Sequence, residues 1–422
     1  MFTIAILSII PVIVWTFMGP IGSRFSDFTT FTTSIGQILG LLGMMLFSIN
    51  LILAGRFKFL DKFFKGLDKV YINHSKIGSL AFSFMLFHPL FLVVRYLSVS
   101  ISEAGLFFVP FLNMPTTWGI LSLLSMIILI VLTLYIKLRY NVWKFSHKFM
   151  LVSFFFAVIH TMTISSDISQ NSFLRFYTLS FAFVGLAIGI HQAFLNRFLF
   201  KKFSYKIKNL TELNGDIIEI EMEPTGRRIS FNPGQFAFFT FIDSKVTSES
   251  HPFSISSGYS DNSLKITVKN LGDYTSLLKS LKINDPVSIE GPYGHFSYKN
   301  VRSKNQIWIA GGIGITPFIS MAKSLEGGYN VDLYYSVKDY NEAVYLVGLK
   351  EISQKISSFK FNLWIAKDKG YINGNSIKDM SNGLYSKDIF LCGPPMFMES
   401  LKDQFLSLGV DVKRIHYENF SF

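Results

Sequence analysis

Four histidines stand in two pairs within apolar sequence. His74 and His88 bracket HSKIGSLAFSFMLFH, and His147 and His160 bracket HKFMLVSFFFAVIH. Fourteen residues of helix rise about 21 Å and fall about 40° short of four turns, so His74 and His88 point in similar directions at two depths. Thirteen residues rise about 19.5 Å, yet the ideal angles of His147 and His160 differ by about 140°. That helix must bend, or its first histidine must sit on an irregular start. A neutral imidazole ligates metal through one nitrogen while the other makes a hydrogen bond. Two imidazoles at each of two levels would suit two stacked bis-histidine haems. Zinc would want three or four ligands at one level. Satisfied core histidines or a proton path are the plainer alternatives. His191, alone in a later apolar stretch, reads as packed or interfacial.

The second half carries a different set of chemistry-bearing residues. In HPFSISSG, from His251, Pro252 stiffens an extended strand, Phe253 could pack on a ring, and Ser254, Ser256 and Ser257 offer short hydroxyls. In IAGGIGITPFIS, a strand runs into Gly311, Gly312 and Gly314, and Thr316-Pro317 starts a helix. Glycines there let the backbone approach a pyrophosphate, and the helix start supplies N–H groups. YSVKD places Ser336 and Lys338 at a strand end, where a hydroxyl and a cation suit a 2′-phosphate and favour NADPH over NADH; Asp339 works against that. LCGPPMF sets Cys392, Gly393 and Pro394 after the last clear strand, with Cys392 equally readable as a small buried residue.

These segments, in this order, resemble the NADPH oxidases and ferric reductases, and the histidine spacings of fourteen and thirteen resemble the oxidase pattern. The resemblance implies that HPFSISSG holds the isoalloxazine and ribityl chain of FAD. It implies that NPGQF (Pro233, Gln235 and Phe236) is the barrel strand before the flavin. VKNLGDYTSLL, with Lys269, Gly272 and Thr275, is the turn that meets the FAD pyrophosphate, and EGPYGHFS is the connection to the nucleotide domain. The glycine run resembles the ferredoxin-reductase variant, and the resemblance implies that the Cys392 loop lies by the nicotinamide. The resemblance likewise implies that a near-terminal aromatic, Phe420 or alternatively Phe422, covers the flavin face. The activity implied is an NADPH oxidase, with NADPH as donor, FAD and two b-type haems as carriers, dioxygen as acceptor and superoxide as product. A ferric or cupric reductase is the runner-up, and a haem-bearing sensor or quinone-linked cytochrome is a third class. Arg95, seven residues beyond His88, could hold a haem propionate or attract superoxide, or serve as an interfacial anchor. One of Phe154, Phe155 and Phe156 is expected between the two levels, the others facing lipid. The absence of a calcium-binding extension or long outer loop resembles bacterial members and suggests no obligatory cytosolic activator.

These residues need a membrane bundle and a cytoplasmic reductase to position them. Half of the 422 residues are hydrophobic, and the mean hydropathy of +0.36 lies between soluble enzymes and proteins that are membrane throughout. Six apolar segments, 2–19, 33–55, 74–97, 117–136, 148–165 and 176–196, each approach the ~20 residues of a spanning helix. The first lacks the basic start and small-residue cleavage site of a signal peptide. Basic loops (Arg56, Lys58, Lys62, Lys65, Lys69; Lys137, Arg139, Lys144; Arg197, Lys201, Lys202) alternate with loops poor in lysine and arginine, which puts the N-terminus and the C-terminal half in the cytoplasm of a cell-membrane protein. The net charge of +12 is scattered, so anionic lipid and cofactor phosphates fit better than nucleic acid. A lone cysteine excludes an intramolecular disulfide and thiol-held clusters. From about 203, alternating runs such as GDIIEIEME suggest a small antiparallel barrel, and later strands alternating with helices suggest a mainly parallel sheet. The expected architecture is a six-helix all-α transmembrane bundle over 1–200, an antiparallel β-barrel FAD domain over 201–302 and an α/β nucleotide-binding domain over 303–422.

Overall fold

The computed structural model describes residues 2–136, 138, 140–195, 202–243, 245–246 and 248–418. Contacts divide these into two units. One holds the residues up to Phe57 and from Lys69 to the last long helix; the other holds Lys58–Asp68 together with everything from the first strand onward.

By length and composition, five helices of the first unit can cross a bilayer: Phe28–Leu53, Leu67–Leu97, Met114–Leu134, Val142–Thr163 and Ser172–Phe194. The N-terminal helix, Phe2–Thr16, is apolar but has only 15 residues, about 22 Å against a hydrocarbon core of about 30 Å. Of the six expected membrane helices, five are thus long enough to span among the described residues, and the N-terminal one is shorter. Its early end has a local cause: the Met18 N–H turns back to Trp15 O, and Pro20 keeps Gly19 out of the helical region. The short helix is tied down at its end. Trp15, 1% exposed, donates its indole N–H to Asp167 at 2.7 Å. Arg24 reaches the same carboxylate oxygen at 2.8 Å and stacks over the indole at 4.0 Å.

The Val142–Thr163 span joins two helical segments, Tyr140–His147 and Met150–Thr163. At the junction the N–H groups of Lys148, Phe149, Leu151 and Val152 bond three residues back instead of four. Such turns over-wind the chain by about 20° per residue, the direction that closes the angular gap between His147 and His160. On the Phe28–Leu53 helix, Gly36, Gly40 and Gly43 form one stripe. A β-carbon at each would lie 2.7 Å from Leu92, the His88 ring and Met85 respectively. In a close-packed interior those side chains can reach the backbone only because nothing projects there.

In the second unit, β1 (Lys202–Asn214), β2 (Ile217–Pro224), β3 (Phe236–Phe241), β4 (His251–Ser254), β5 (Leu264–Lys269) and β6 (Pro286–Tyr293) form an antiparallel sheet in the order β4-β3-β6-β1-β2-β5. Alternation puts Ile207, Ile220, Phe239, Ile266 and Ile289 wholly inside. The barrel expected from the sequence is a curled half-barrel. Among the described residues its edges meet at one bridge, Ile255–Ile266. β4 has only four residues, and Pro252 brings no N–H to a ladder.

β7 (Asn305–Gly311), β8 (Asn330–Val337), β9 (Phe359–Ile365), β10 (Asp388–Cys392) and β11 (Ile415–Tyr417) form a parallel sheet in the order β11-β10-β7-β8-β9. The chain runs outward from β7 to β9, then returns to β10 on the other side. The crevice between β7 and β10 is thus the topological switch point, where such sheets bind ligands.

Candidate functional site

In the first unit the rings of His74 and His147 approach edge to face, with centroids 6.2 Å apart and planes at 72°. His88 and His160 line one cavity of about 400 Å³ with Leu41, Met44, Met85 and Leu123. Three of the four rings are held the same way. The Nδ1–H of His74 donates to Asn50 O at 3.0 Å, that of His88 to Gly36 O at 2.6 Å and that of His160 to Pro115 O at 2.7 Å. This arrangement fixes the tautomer and leaves Nε2 with its lone pair. His147 stacks on Trp143 at 5.5 Å, and its Nδ1 is buried without a partner among the described residues. The donor set fits axial ligation. Two neutral imidazoles whose centres lie 6.2 Å apart are the kind of donors that would hold a haem iron between them.

Arg95 lines the cavity shared by His88 and His160, and its guanidinium donates to the Tyr96 hydroxyl at 2.7 Å. Of the three phenylalanines, Phe154 is fully buried against Phe47 at 4.7 Å, Phe155 is exposed, and Phe156 stacks on Trp118. His191 is half-buried at the start of a π-helical turn, His191–Leu195.

In the curled sheet, Gly234 takes φ +95°, and a β-carbon there would lie 2.0 Å from Phe296 O, so the turn after Pro233 admits only glycine. Gln235 bridges this turn to Gly294 O at 2.9 Å. Phe236 is fully buried against Phe238 and Tyr293. Pro252, Phe253 and Ser254 are half-buried along β4, whereas Ser256 is 1% exposed and bonds Thr267. His251 meets Glu249 at 3.0 Å and stacks on Tyr274 at 3.6 Å, joining β4 to the Gly272–Thr275 turn. Lys269 closes β5 just before that turn. There the Thr275 hydroxyl accepts the N–H groups of Leu271 and Gly272.

At the switch point, Gly311 ends β7, Gly312 takes φ +55°, and the helix Thr316–Lys323 begins with Pro317 in its first turn. Cys392, Gly393 and Pro394 pack against this glycine run, Pro394 standing 3.2 Å from where a β-carbon of Gly311 would lie. Ser336 is in register with Gly311 on the neighbouring strand. Lys338 is exposed. Asp339 is ion-paired with Lys367, which holds its carboxyl below the usual range. Phe420 and Phe422 lie outside the described residues.

Two residues were missed by the sequence reading. Glu418, 3% exposed, follows β11 and lies beside Gly294 and Cys392; its position two residues before Phe420 was the available signal. Asp61, in the short helix Lys58–Phe64, accepts the Gly294 N–H at 3.4 Å and lies 3.7 Å from His295. Burial raises its carboxyl pKa, and nothing in its basic loop distinguishes it.

Burial first, and then the charge of Glu418, push the Cys392 thiol above its ordinary 9.0. The folded state therefore keeps a proton that the unfolded chain releases, and stability falls as pH climbs past about 9. At pH 8, Cys392 is expected to resist maleimide in the native protein and to label fully after denaturation. Rapid stoichiometric labelling of the native protein would contradict this.

Comparison with known families agrees with this division. Residues 39–159 match the ferric reductase like transmembrane component, residues 202–297 an FAD-binding domain and residues 308–403 an oxidoreductase NAD-binding domain. The chain thus has the NADPH oxidase/ferric reductase-like architecture. It is a multi-pass membrane protein with an FAD-binding domain and an oxidoreductase NAD-binding domain. Among curated relatives, the toluate 1,2-dioxygenase electron transfer component of Pseudomonas putida is 27% identical over 228 residues, covering 51% of this chain and 66% of that protein. The ferredoxin reductase component of a 3-ketosteroid-9-alpha-monooxygenase from Mycobacterium tuberculosis is 28% identical over 201 residues, 46% of this chain and 56% of that protein. The chain spans somewhat over half the length of these relatives. Among solved structures, the flavohemoglobin of Malassezia yamatoensis aligns at TM-score 0.50 and 16% identity, over 80% of this chain and 95% of that one.

Proposed function

We propose that the chain is an NADPH oxidase of the cell membrane that takes electrons from cytoplasmic NADPH and delivers them to dioxygen outside, producing superoxide. The pair of histidine levels carries this reading: two rings 6.2 Å apart at one level and two sharing a cavity at the other. FAD and two b-type haems, when bound, would supply conversion of a hydride into single electrons and their carriage across the membrane. His74 and His147 would hold the inner haem and His88 and His160 the outer, with the carbonyls of Asn50, Gly36 and Pro115 orienting three of the rings. Two imidazoles at each level would hold a haem that supplies electron transfer and offers dioxygen no place on its iron. The burial of Phe154 supports a place for it between the levels. Arg95 would face a propionate or draw superoxide. Pro233, Gln235, β4 and the Gly272–Thr275 turn would position FAD, and Phe420 would cover the flavin. Cys392, Gly393 and Pro394 would line the nicotinamide side. The basic loop from Arg56 to Lys69 supports a cytoplasmic reductase half.

The state of Asp339 supports NADPH over NADH. Its carboxylate is engaged by Lys367 and by the Asn341 N–H, which leaves Ser336 and Lys338 to meet a 2′-phosphate. Lys338→Ala is expected to raise KM for NADPH roughly tenfold, the loss of one charge-assisted contact, and to leave KM for NADH unchanged. Equal effects on both nucleotides would refute this assignment.

Purified protein given NADPH without oxygen should show reduced b-type haem bands that disappear when air is admitted. Superoxide dismutase should then abolish most cytochrome c reduction. Dismutase-resistant reduction with rapid ferric-chelate turnover would favour a metal acceptor, the reading that the transmembrane family match supports. Haems that NADPH cannot reduce would overturn both.

A further inference from the structure

Tyr345 links the nucleotide-binding domain to the flavin-binding sheet and has no part in the reading above. It stands where the loop from β8 enters the helix Leu346–Lys355, in the left-handed region at φ 64°, which bulky residues rarely occupy. Its hydroxyl donates to Glu219 Oε2 on β2 at 2.6 Å and pairs with Thr267 on β5. Thr267 in turn meets Ser256, just beyond β4, at 3.2 Å. Glu219, 9% exposed, accepts from Lys265 at 2.8 Å through its other oxygen. Burial and the Glu219 charge raise the Tyr345 pKa, so the phenol remains a donor. The loop that ends at Tyr345 begins at Lys338. It is also tied by Asn214 to Asn341 O at 3.1 Å and by the Val344 N–H to the Tyr335 hydroxyl at 3.2 Å.

We infer that Tyr345 is a positioning residue for hydride transfer: its hydroxyl, held between Glu219 on β2 and Thr267 on β5, sets where the nucleotide-side loop of β8 lies against the flavin-binding sheet. This inference rests on the reading of the chain as an NADPH-to-flavin reductase. A strained backbone persists only while its surroundings over-determine it. Removing the hydroxyl leaves the Glu219 carboxylate with Lys265 alone and frees the turn to relax. Hydride transfer needs a near-attack geometry, in which a displacement of about 1 Å can cost on the order of a hundredfold in rate.

The test uses the full chain loaded with FAD and mixed anaerobically with NADPH in a stopped-flow instrument. Tyr345→Phe is expected to slow the limiting rate of flavin bleaching roughly tenfold or more. It should also enlarge the isotope effect seen with NADPH deuterated at the transferred hydrogen. FAD content should match the parent protein, and the melting temperature should fall by no more than the loss of one charge-assisted hydrogen bond explains. Thr267→Val removes the opposite partner and should act in the same direction. Tyr345→Phe combined with Glu219→Gln should lose no more than the worse single variant, as members of one chain of bonds. Rates within about twofold of the parent in both single variants overturn the inference, and so does a slowing matched by loss of FAD and by a greater fall in melting temperature. Failure of NADPH to bleach the parent protein overturns the underlying reading instead, and the same rate comparison is then made with NADH.

Discussion

Purified His160→Leu protein is expected to carry one haem per chain instead of two. The His160 ring is held by Pro115 O at 2.7 Å and opens on the cavity it shares with His88. Leucine fills similar space but offers no lone pair, and a single imidazole is left at that level. The other pair, with ring centres 6.2 Å apart, does not depend on this residue and should keep its haem. NADPH should still reduce the flavin and the remaining haem. Superoxide formation should fall at least about a hundredfold, since even outer-shell changes at metal sites cost about 10–100-fold. Gly40→Ala gives an independent version that keeps every imidazole. Its β-carbon would lie 2.7 Å from the His88 ring, so the ring must shift, and loss of haem from the same level is expected. Pyridine extraction of unchanged haem from His160→Leu would remove the foundation of the assignment.

Gly314→Ala should disable the nucleotide end while sparing the rest. The added carbon would lie 2.3 Å from Cys392 O and 2.7 Å from Gly393 N. Both are backbone atoms at the end of a buried strand, so no side chain can swing aside. The two loops at the switch point must separate, and overpacking of this kind costs about 1–3 kcal/mol or more. The expected loss in kcat/KM for NADPH is about a hundredfold, equivalent to about 2.7 kcal/mol. Dithionite should still reduce flavin and haem, which localises the defect. Gly312→Ala is the contrast. It takes φ +55°, but a β-carbon there meets no protein atom within 4 Å, so the folded chain bears only the left-handed backbone cost of about 1–2 kcal/mol, and its melting temperature should fall less than that of Gly314→Ala. Comparable losses in the two variants would argue against the steric account.

Much of the site could be read from the chain because it rests on local periodicity. A spacing of fourteen puts His74 and His88 on one side of an unbroken helix, and the glycine run marks a turn at a strand end. The relation of His147 to His160 could not be read, because it depends on four shortened hydrogen bonds around Lys148 that no residue type announces. The short first helix was half-legible: Pro20 was visible, but the anchoring of Trp15 by Asp167 links residues 152 apart. Asp61, Glu418 and Tyr345 were hidden for a related reason. Each acts through a partner far away in sequence, and a carboxylate or phenol in a polar loop looks the same whether it faces water or a buried partner. Ser256 shows the converse: a hydroxyl in a flavin-binding stretch can turn inward and serve the interior.

The carbonyls that hold His74, His88 and His160 have a consequence for assembly. All three belong to the polypeptide itself, so helix packing alone is enough to orient the rings. Rotamer freedom of about 1 kcal/mol per ring is lost in folding and not at capture. A bundle formed without its iron should therefore be a ready receptor, and haem added afterwards should enter the level of His88 and His160 without refolding the spans.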